Sequence, residues 1–536
     1  MRNFQLPGRS PVYAANGMAA TSHPLATMTA LQILMKGGNA MDAGLAACAV
    51  QGVVEPQSTG IGGDCFVLYA PGGKGPVVAY NGSGRAPLAA SVACFREQGI
   101  ESIGEHSPHA VTIPGAVDAW VRLAADHGTM GLDRLLQPAI RFARDGYPVH
   151  PRVAFDWGQA VDTLSHDRTT AAVYLKGGAS PRPGDTHRQP LLARTLEKIA
   201  AEGKDGFYRG SVARDLVTYL RRMGGLHTLE DFEKAAGEYV VPISTRYGGY
   251  ELFECPPNGQ GITALIMLNL LSQLGRAQSG DPLSAERLHL EIEVARLAYQ
   301  ERNRYVTDPA KETVPVSALL SREHARHLGG FYNREKAMQR LPAVDLPESG
   351  LPSHGDTVYL CVVDRHHNAV SMINSIFQSF GSGLTGPESG VLLQNRGVSF
   401  CLDPSHANCI APGKRPMHTI IPGMLKKEDR VVMPFGVMGG QYQPAGQVHV
   451  LSNMIDYGLD VQAAIDLARV FPLFEGDVEV EDGVPDAVRS DLTGRGHRLV
   501  RPEEPIGGGQ AIWIDWERGV LIGGSDPRKD GCALGY

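Results

Sequence analysis

Asp356-Thr357 follows a proline-rich stretch and opens a strand-like run, and its chemistry depends on whether the chain is intact. A threonine at a strand edge ordinarily reflects β-propensity alone. If the peptide bond before Thr357 is cut, that residue carries a hydroxyl nucleophile and a free α-amine, whose pKa of about 7.7 to 8 suits a general base at neutral pH. Its β-branch restricts χ1 and so holds Oγ relative to the amine. Acyl transfer from an amide is the chemistry such a residue can do. It needs donors for an oxyanion, and backbone N–H groups can converge in the glycine runs Gly60-Ile61-Gly62-Gly63, Gly439-Gly440 and Gly507-Gly508-Gly509. Each run lies beside a strand-like segment, where glycine is costly unless φ is positive or another group approaches closely. A plain tight turn is the alternative for each.

Other motifs do not survive their context. Gly381-x-Gly383-x-x-Gly386 has the spacing of a dinucleotide loop, yet Pro387-Glu388-Ser389-Gly390 and another strand follow, where a pyrophosphate needs a helix N-terminus. There is no P-loop, HExxH, GxSxG elbow or EF-hand ladder. His366-His367 falls in an expected hairpin turn and reads as a solvated loop rather than a metal site. The 8 cysteines are scattered, without a CxxC pair or zinc-finger spacing, and read as reduced, mostly buried thiols. No metal and no organic cofactor is expected. Lys plus Arg (50) against Asp plus Glu (57) gives a net charge of -7, which weighs against a nucleic-acid partner and leaves a small ligand read by local charge.

At 536 residues, 43% hydrophobic and 20% charged, the chain is a folded globular protein. Spacing predicts two buried helices within His23 to Val54, stopped at Gly37-Gly38 and restarted at Asn39-Ala40. A hairpin is expected from Cys65 to Tyr69 and Val77 to Tyr80, turning at Pro71 to Gly75. Amphipathic helices are expected near Ala116 to His127, Leu132 to Asp145, Ala213 to Met223, Ile262 to Leu274, Leu288 to Arg304, Ala445 to Tyr457 and Val461 to Val470. Strands are expected at Thr357 to Val363, Ala369 to Asn374, Val391 to Gln394, Val431 to Val437, Gln510 to Asp515 and Val520 to Gly523. Mixed without strict alternation, these elements imply α+β layers. Ala337 to His354 is the candidate exposed linker. The N-terminus lacks the apolar core of a signal peptide, and no run is long enough for a membrane span, so a cytoplasmic protein with no membrane partner is expected.

Ordered blocks along nearly the whole chain resemble the γ-glutamyltransferases (glutathione hydrolases) of the N-terminal-nucleophile hydrolase superfamily. They include His23-Pro24-Leu25, Gly37 to Ala40, Asp42-Ala43, Gly60 to Gly63, Thr112 to Gly115, Pro256-Pro257 with Gly259 to Gly261, and Asp356-Thr357 leading into Val362-Val363-Asp364. Phe380-Gly381, Glu388 to Gly390, Pro412 to Pro416 and Gly439-Gly440 continue them. The resemblance implies a four-layer αββα sandwich and self-cleavage between Asp356 and Thr357, giving a large fragment, 1–356, and a small one, 357–536, that stay together. It implies Thr357 as nucleophile and base, Ser375 as the hydroxyl that orients it, and Gly439 and Gly440 as the oxyanion pair.

The chain departs from that family where the substrate is read. The arginine that holds a γ-glutamyl α-carboxylate is matched by Ser83, with Arg85 displaced from it. The residues that hold the α-amino group are matched by Phe377, Arg396 and Ser399, and two serines before the oxyanion loop by His418-Thr419. An amino group facing Arg396 would meet a like charge. The pattern resembles the divergent branch that includes oxamate amidohydrolase, glutathione hydrolase-like proteins and, more distantly, cephalosporin acylases. The expected substrate is a small carboxylate-bearing amide, with Arg396 or Arg85 as its bidentate partner. The alternatives are a true γ-glutamyl hydrolase or transferase, and a binding or scaffold protein that has lost processing. A homo-oligomer is left open.

Overall fold

The structure, a computed structural model, describes residues 5, 8–275, 280–338 and 357–536. Asp356 and positions 339–354 of the expected linker lie outside the described residues.

The first two helices form as their spacing predicts, at Pro24–Met35 and Ala40–Val54. Asn39 caps the second: its side chain accepts from Asp42 N at 2.9 Å while the Asp42 carboxylate accepts from Asn39 N at 2.9 Å. All of Ala40–Val54 is buried, which its small side chains allow.

Two seven-stranded sheets, antiparallel throughout, make up the centre. One runs Cys532–Gly535, Met18–Thr21, Val358–Val363, Ala369–Ser375, Asp64–Ala70, Val78–Gly82, Glu238–Val240. The other runs Val12–Ala14, Val520–Ser525, Gly508–Asp515, Arg430–Met438, Gly423–Lys427, Tyr250–Glu254, Ile243–Tyr247. Val358–Val363 is buried along its length, and alternate residues serve different cores. Leu360 and Val362 pack with Ala40–Val54, whereas Tyr359, Cys361 and Val363 pack with Met424, Ile512 and Ile514 of the second sheet. Leu425, Phe435 and Val437 of the second sheet pack with the helices Gly261–Leu274, Ala285–Tyr305 and Gln443–Ile455. Val358–Val363 and Ala369–Ser375 form the expected hairpin, with His366 and His367 in its turn.

Some expectations shift. The strand placed at Val391 to Gln394 shortens to Leu392–Leu393, which pairs with the two-residue Leu384–Thr385 and meets Gly62 in a single parallel bridge. The helix expected through Val470 ends at Asp466, and Val470–Pro472 is a strand of a separate three-stranded sheet. Leu132 to Asp145 is broken into Leu132–Leu135 and Gln137–Asp145, where Pro138 favours a helix start. The strands Leu384–Thr385 and Leu392–Leu393 follow Gly381 and Gly383, so that glycine loop does not open a helix. Among the described residues no helix is long and apolar enough to cross a membrane.

Candidate active site

The register of three neighbouring strands brings the first site residues together. Val358 pairs with Asn374, so Thr357, one residue earlier, lies opposite Ser375, and Ser375 pairs in turn with Asp64. Thr357 Oγ1 and Ser375 Oγ are 3.1 Å apart, both buried. Ser375 Oγ also accepts from Phe377 N at 2.9 Å. Gly63 explains one glycine run: a Cβ there would stand 2.2 Å from the Ser375 carbonyl oxygen, so only glycine lets the chain pass behind Ser375.

Arg396 opens a short 3-10 turn, Arg396–Ser399, and is fully buried. Its Nη1 donates to Thr419 Oγ1 at 2.8 Å and its Nη2 to Ser375 Oγ at 3.4 Å. Nε has no partner among the described residues, and no carboxylate there forms an ion pair with the guanidinium. The group lies 4.0 Å from the centroid of the Phe377 ring, a cation–π contact. Phe377 reaches that place with φ at 82°, a left-handed conformation costing a non-glycine residue about 1 kcal/mol or more. Burial pulls the arginine pKa down to about 9, with Asp64 opposing, so it stays cationic at neutral pH. Burying the cation is costly, and the charge of Asp64 offsets only part of that cost.

Asp64 organises the floor. Its Oδ1 accepts from Gly84 N at 2.9 Å, Gly115 N at 3.1 Å and Gln394 Nε2 at 3.0 Å, and its Oδ2 from His418 Nε2 at 3.0 Å. The other His418 nitrogen, Nδ1, accepts from Ile420 N at 3.4 Å, so the imidazole is held neutral with its proton on Nε2. Burial, with the charge of Arg396, pushes the His418 pKa down to about 4 despite Asp64. Asp64 thus gathers four donors, three on Oδ1 and one on Oδ2, and so ties Gly84, Gly115, Gln394 and His418 together.

Gly439 and Gly440 end the Arg430–Met438 strand with φ of 118° and 55°. No hydrogen bond to either N–H is found among the described residues. Gln260 ties this loop to the rest, its Nε2 donating to Gly440 O at 3.1 Å and Thr419 O at 2.7 Å. Arg302 Nη1 fixes Gln260 through Oε1 at 2.7 Å and also donates to the Gln441 side-chain oxygen. Hydrogen bonds therefore run from Thr357 through Ser375, Arg396, Thr419 and Gln260 to Gly440. A cleft of about 230 Å³ opens beside Gly439, lined also by Gln378, Tyr442, Gly507, Arg152 and Lys529.

Two predicted substrate-reading residues stand apart from that chain. Arg85 donates to Asp308 Oδ2 at 3.3 Å and Gly413 O at 3.1 Å, and lies 3.9 Å from Glu238, none of which belongs to it. Ser399 is buried on the same turn as Arg396, but its hydroxyl has no hydrogen-bond partner among the described residues. Asp64, Arg302 and the role of Gln260 escape sequence reasoning. Gln260 lies inside the Pro256 to Gly261 block, which is the one signal that pointed to it.

A family profile for gamma-glutamyltranspeptidase matches residues 26–536. The chain belongs to the gamma-glutamyltranspeptidase family and is an enzyme of the hydrolase kind. It is 35% identical over 534 residues to the glutathione hydrolase-like YwrD proenzyme of Bacillus subtilis, covering 98% of this chain and 99% of that one. It is 34% identical over 537 residues to the oxamate amidohydrolase proenzyme of Klebsiella pneumoniae, covering 98% and 99%. The crystal structure of a cephalosporin acylase from Bacillus halodurans superposes with a TM-score of 0.92 at 39% identity, covering 100% of this chain and 99% of that one.

Proposed function

We propose that the protein is a self-processing amidohydrolase that cleaves before Thr357 and then hydrolyses a small amide bearing a carboxylate. The supporting observation is Arg396: a fully buried guanidinium without a carboxylate partner among the described residues, 3.4 Å from the hydroxyl that contacts Thr357 Oγ1. A substrate carboxylate would complete that arginine, with the amide carbonyl of the same small molecule set beside Thr357. That two similar proteins are named oxamate amidohydrolase and cephalosporin acylase agrees with amide cleavage.

In this mechanism the freed α-amine of Thr357 takes the proton of its own Oγ, which attacks the amide carbon. The N–H groups of Gly439 and Gly440 hold the oxyanion. Collapse breaks the C–N bond, the ammonium of Thr357 returns the proton to the leaving amine, and an acyl-threonine ester remains. Water, activated by the same amine, releases the acid. The cleft beside Gly439 is the route in and out. The fold that carries this is the four-layer αββα sandwich, supported by the separate apolar cores on either side of and between the sheets. Fragments 1–356 and 357–536 then form one domain.

Separate incubations with oxamate, glutathione and a γ-glutamyl anilide test the assignment. Release of ammonia from oxamate with little turnover of the others is expected. Fast turnover of the two γ-glutamyl compounds, and none of oxamate, would overturn it.

A further inference from the structure

Outside the Thr357 set, His289 and Glu293 lie one turn apart on the Ala285–Tyr305 helix, and His497, just before the Arg498–Val500 strand, packs against them. All three are buried, and one ligand atom from each lies within 4.8 Å of the others. His289 Nδ1 and His497 Nε2 are 2.8 Å apart, and His289 Nε2 is 2.8 Å from the Asn333 carbonyl oxygen. A carbonyl only accepts, so His289 carries its proton on Nε2 and presents a lone pair at Nδ1. His497 must then donate from Nε2, which leaves its Nδ1 a bare lone pair, buried and without a partner among the described residues.

We infer that His289, Glu293 and His497 form a site for a divalent transition-metal ion of the zinc class, with water in the fourth position. Moving the His497 proton to Nδ1 turns two imidazole lone pairs toward one point. With zinc–nitrogen bonds of about 2.0 to 2.1 Å the nitrogens need a separation of about 3.3 Å, an opening of roughly half an ångström. The His289 N–H bond to a backbone carbonyl is how a ligating imidazole is oriented. Glu293 receives Arg296 Nη1 on Oε1 at 2.9 Å and Met338 N on Oε2 at 2.8 Å, and each oxygen keeps a second lone pair. Arg296 thus steadies the carboxylate while its charge limits affinity. Two imidazoles and one carboxylate suit zinc or cobalt, and suit magnesium or calcium poorly. One consequence rests on cleavage before Thr357: the ion would then join His289 and Glu293 of one fragment to His497 of the other.

The test uses full-length protein without a histidine tag, stripped with chelator and titrated with Co2+. The expected result is the intense visible spectrum of a four-coordinate ion, bleached by Zn2+ but not by Mg2+, and about one zinc per chain retained after desalting. His497→Ala and Glu293→Gln should each weaken binding by about ten-fold or more. The uncut Thr357→Ala chain should bind equally well, so that failure of processing is distinguished from failure of the site. Absence of that spectrum in folded wild-type protein, cut or uncut, overturns the inference. So does an unchanged spectrum in folded His497→Ala.

Discussion

Arg396 donates to the Ser375 hydroxyl across 3.4 Å, and that hydroxyl is the one 3.1 Å from Thr357 Oγ1. The residue that would read the substrate's charge and the residue that would attack it therefore share one oxygen. On the proposed function, an anion bound at Arg396 would redirect that hydrogen bond and change the donors available to the nucleophile. Ser375→Ala is expected to lower turnover by about 100-fold or more, within the range for a group assisting proton transfer, without loss of folding. Single-turnover kinetics and a thermal melt check this, and wild-type rates would remove Ser375 from the mechanism.

Thr357→Ala should leave one full-length band on a denaturing gel and give no measurable turnover, because nucleophile and base go together. Mass spectrometry of wild type should find a new terminus at position 357. Active protein with an intact chain would refute the mechanism.

Arg396→Met should keep processing and lose activity toward a carboxylate-bearing amide, with KM raised about 100-fold or more. In the substrate-free state the same variant should be no less stable than wild type, since it removes a buried cation with no carboxylate in ion-pair contact among the described residues. Oxamate should raise the melting temperature of wild type but not of the variant. A large destabilisation without a KM effect would mark Arg396 as structural.

Gly440→Ala places a Cβ at a φ of 55°, costing about 1 kcal/mol in backbone strain. If its N–H serves the oxyanion, kcat should fall about 100-fold or more with KM little changed. An ordinary kcat would remove the assignment.

Stability should fall as pH drops from 6.5 toward 4. His418 titrates near its ordinary 6.5 when unfolded and at about 4 when folded, so between these values the unfolded chain binds more protons and is favoured. This one residue contributes on the order of 3 kcal/mol, complete above 6.5 and lost below 4. Burial likewise depresses His187 and His227 to about 4, steepening the decline. Urea unfolding at several pH values measures the slope, and flat stability across that range would contradict the neutral His418.

Much of this architecture is legible in the sequence where one local signal suffices. Asn39 with Asp42 marks a helix start, and His366-His367 marks a turn between two apolar runs. Met18–Thr21 escapes because one methionine followed by three small residues, all buried, carries no period, and Ile243–Tyr247 and Tyr250–Glu254 because half-exposed strands mix polar side chains on both faces. Thr357 looks ordinary until family resemblance gives it meaning. Asp64 meets Gln394 and His418 across 330 and 354 residues, and His289 meets His497 across 208, distances over which no spacing rule operates.

Val358–Val363 lies between Met18–Thr21 and Ala369–Ser375, and Gly423–Lys427 lies against Tyr250–Glu254, so each sheet is braided from both sides of the proposed cut. Neither piece owns a complete sheet. Once nicked and denatured, the halves must meet by diffusion, so recovery becomes second order and depends on dilution. The uncut Thr357→Ala chain keeps its tether and should renature alike at any concentration. Maturation on this scheme is a ratchet: the fold is first assembled as a single strand of polymer, and after the cut it can be regained only as an encounter of two.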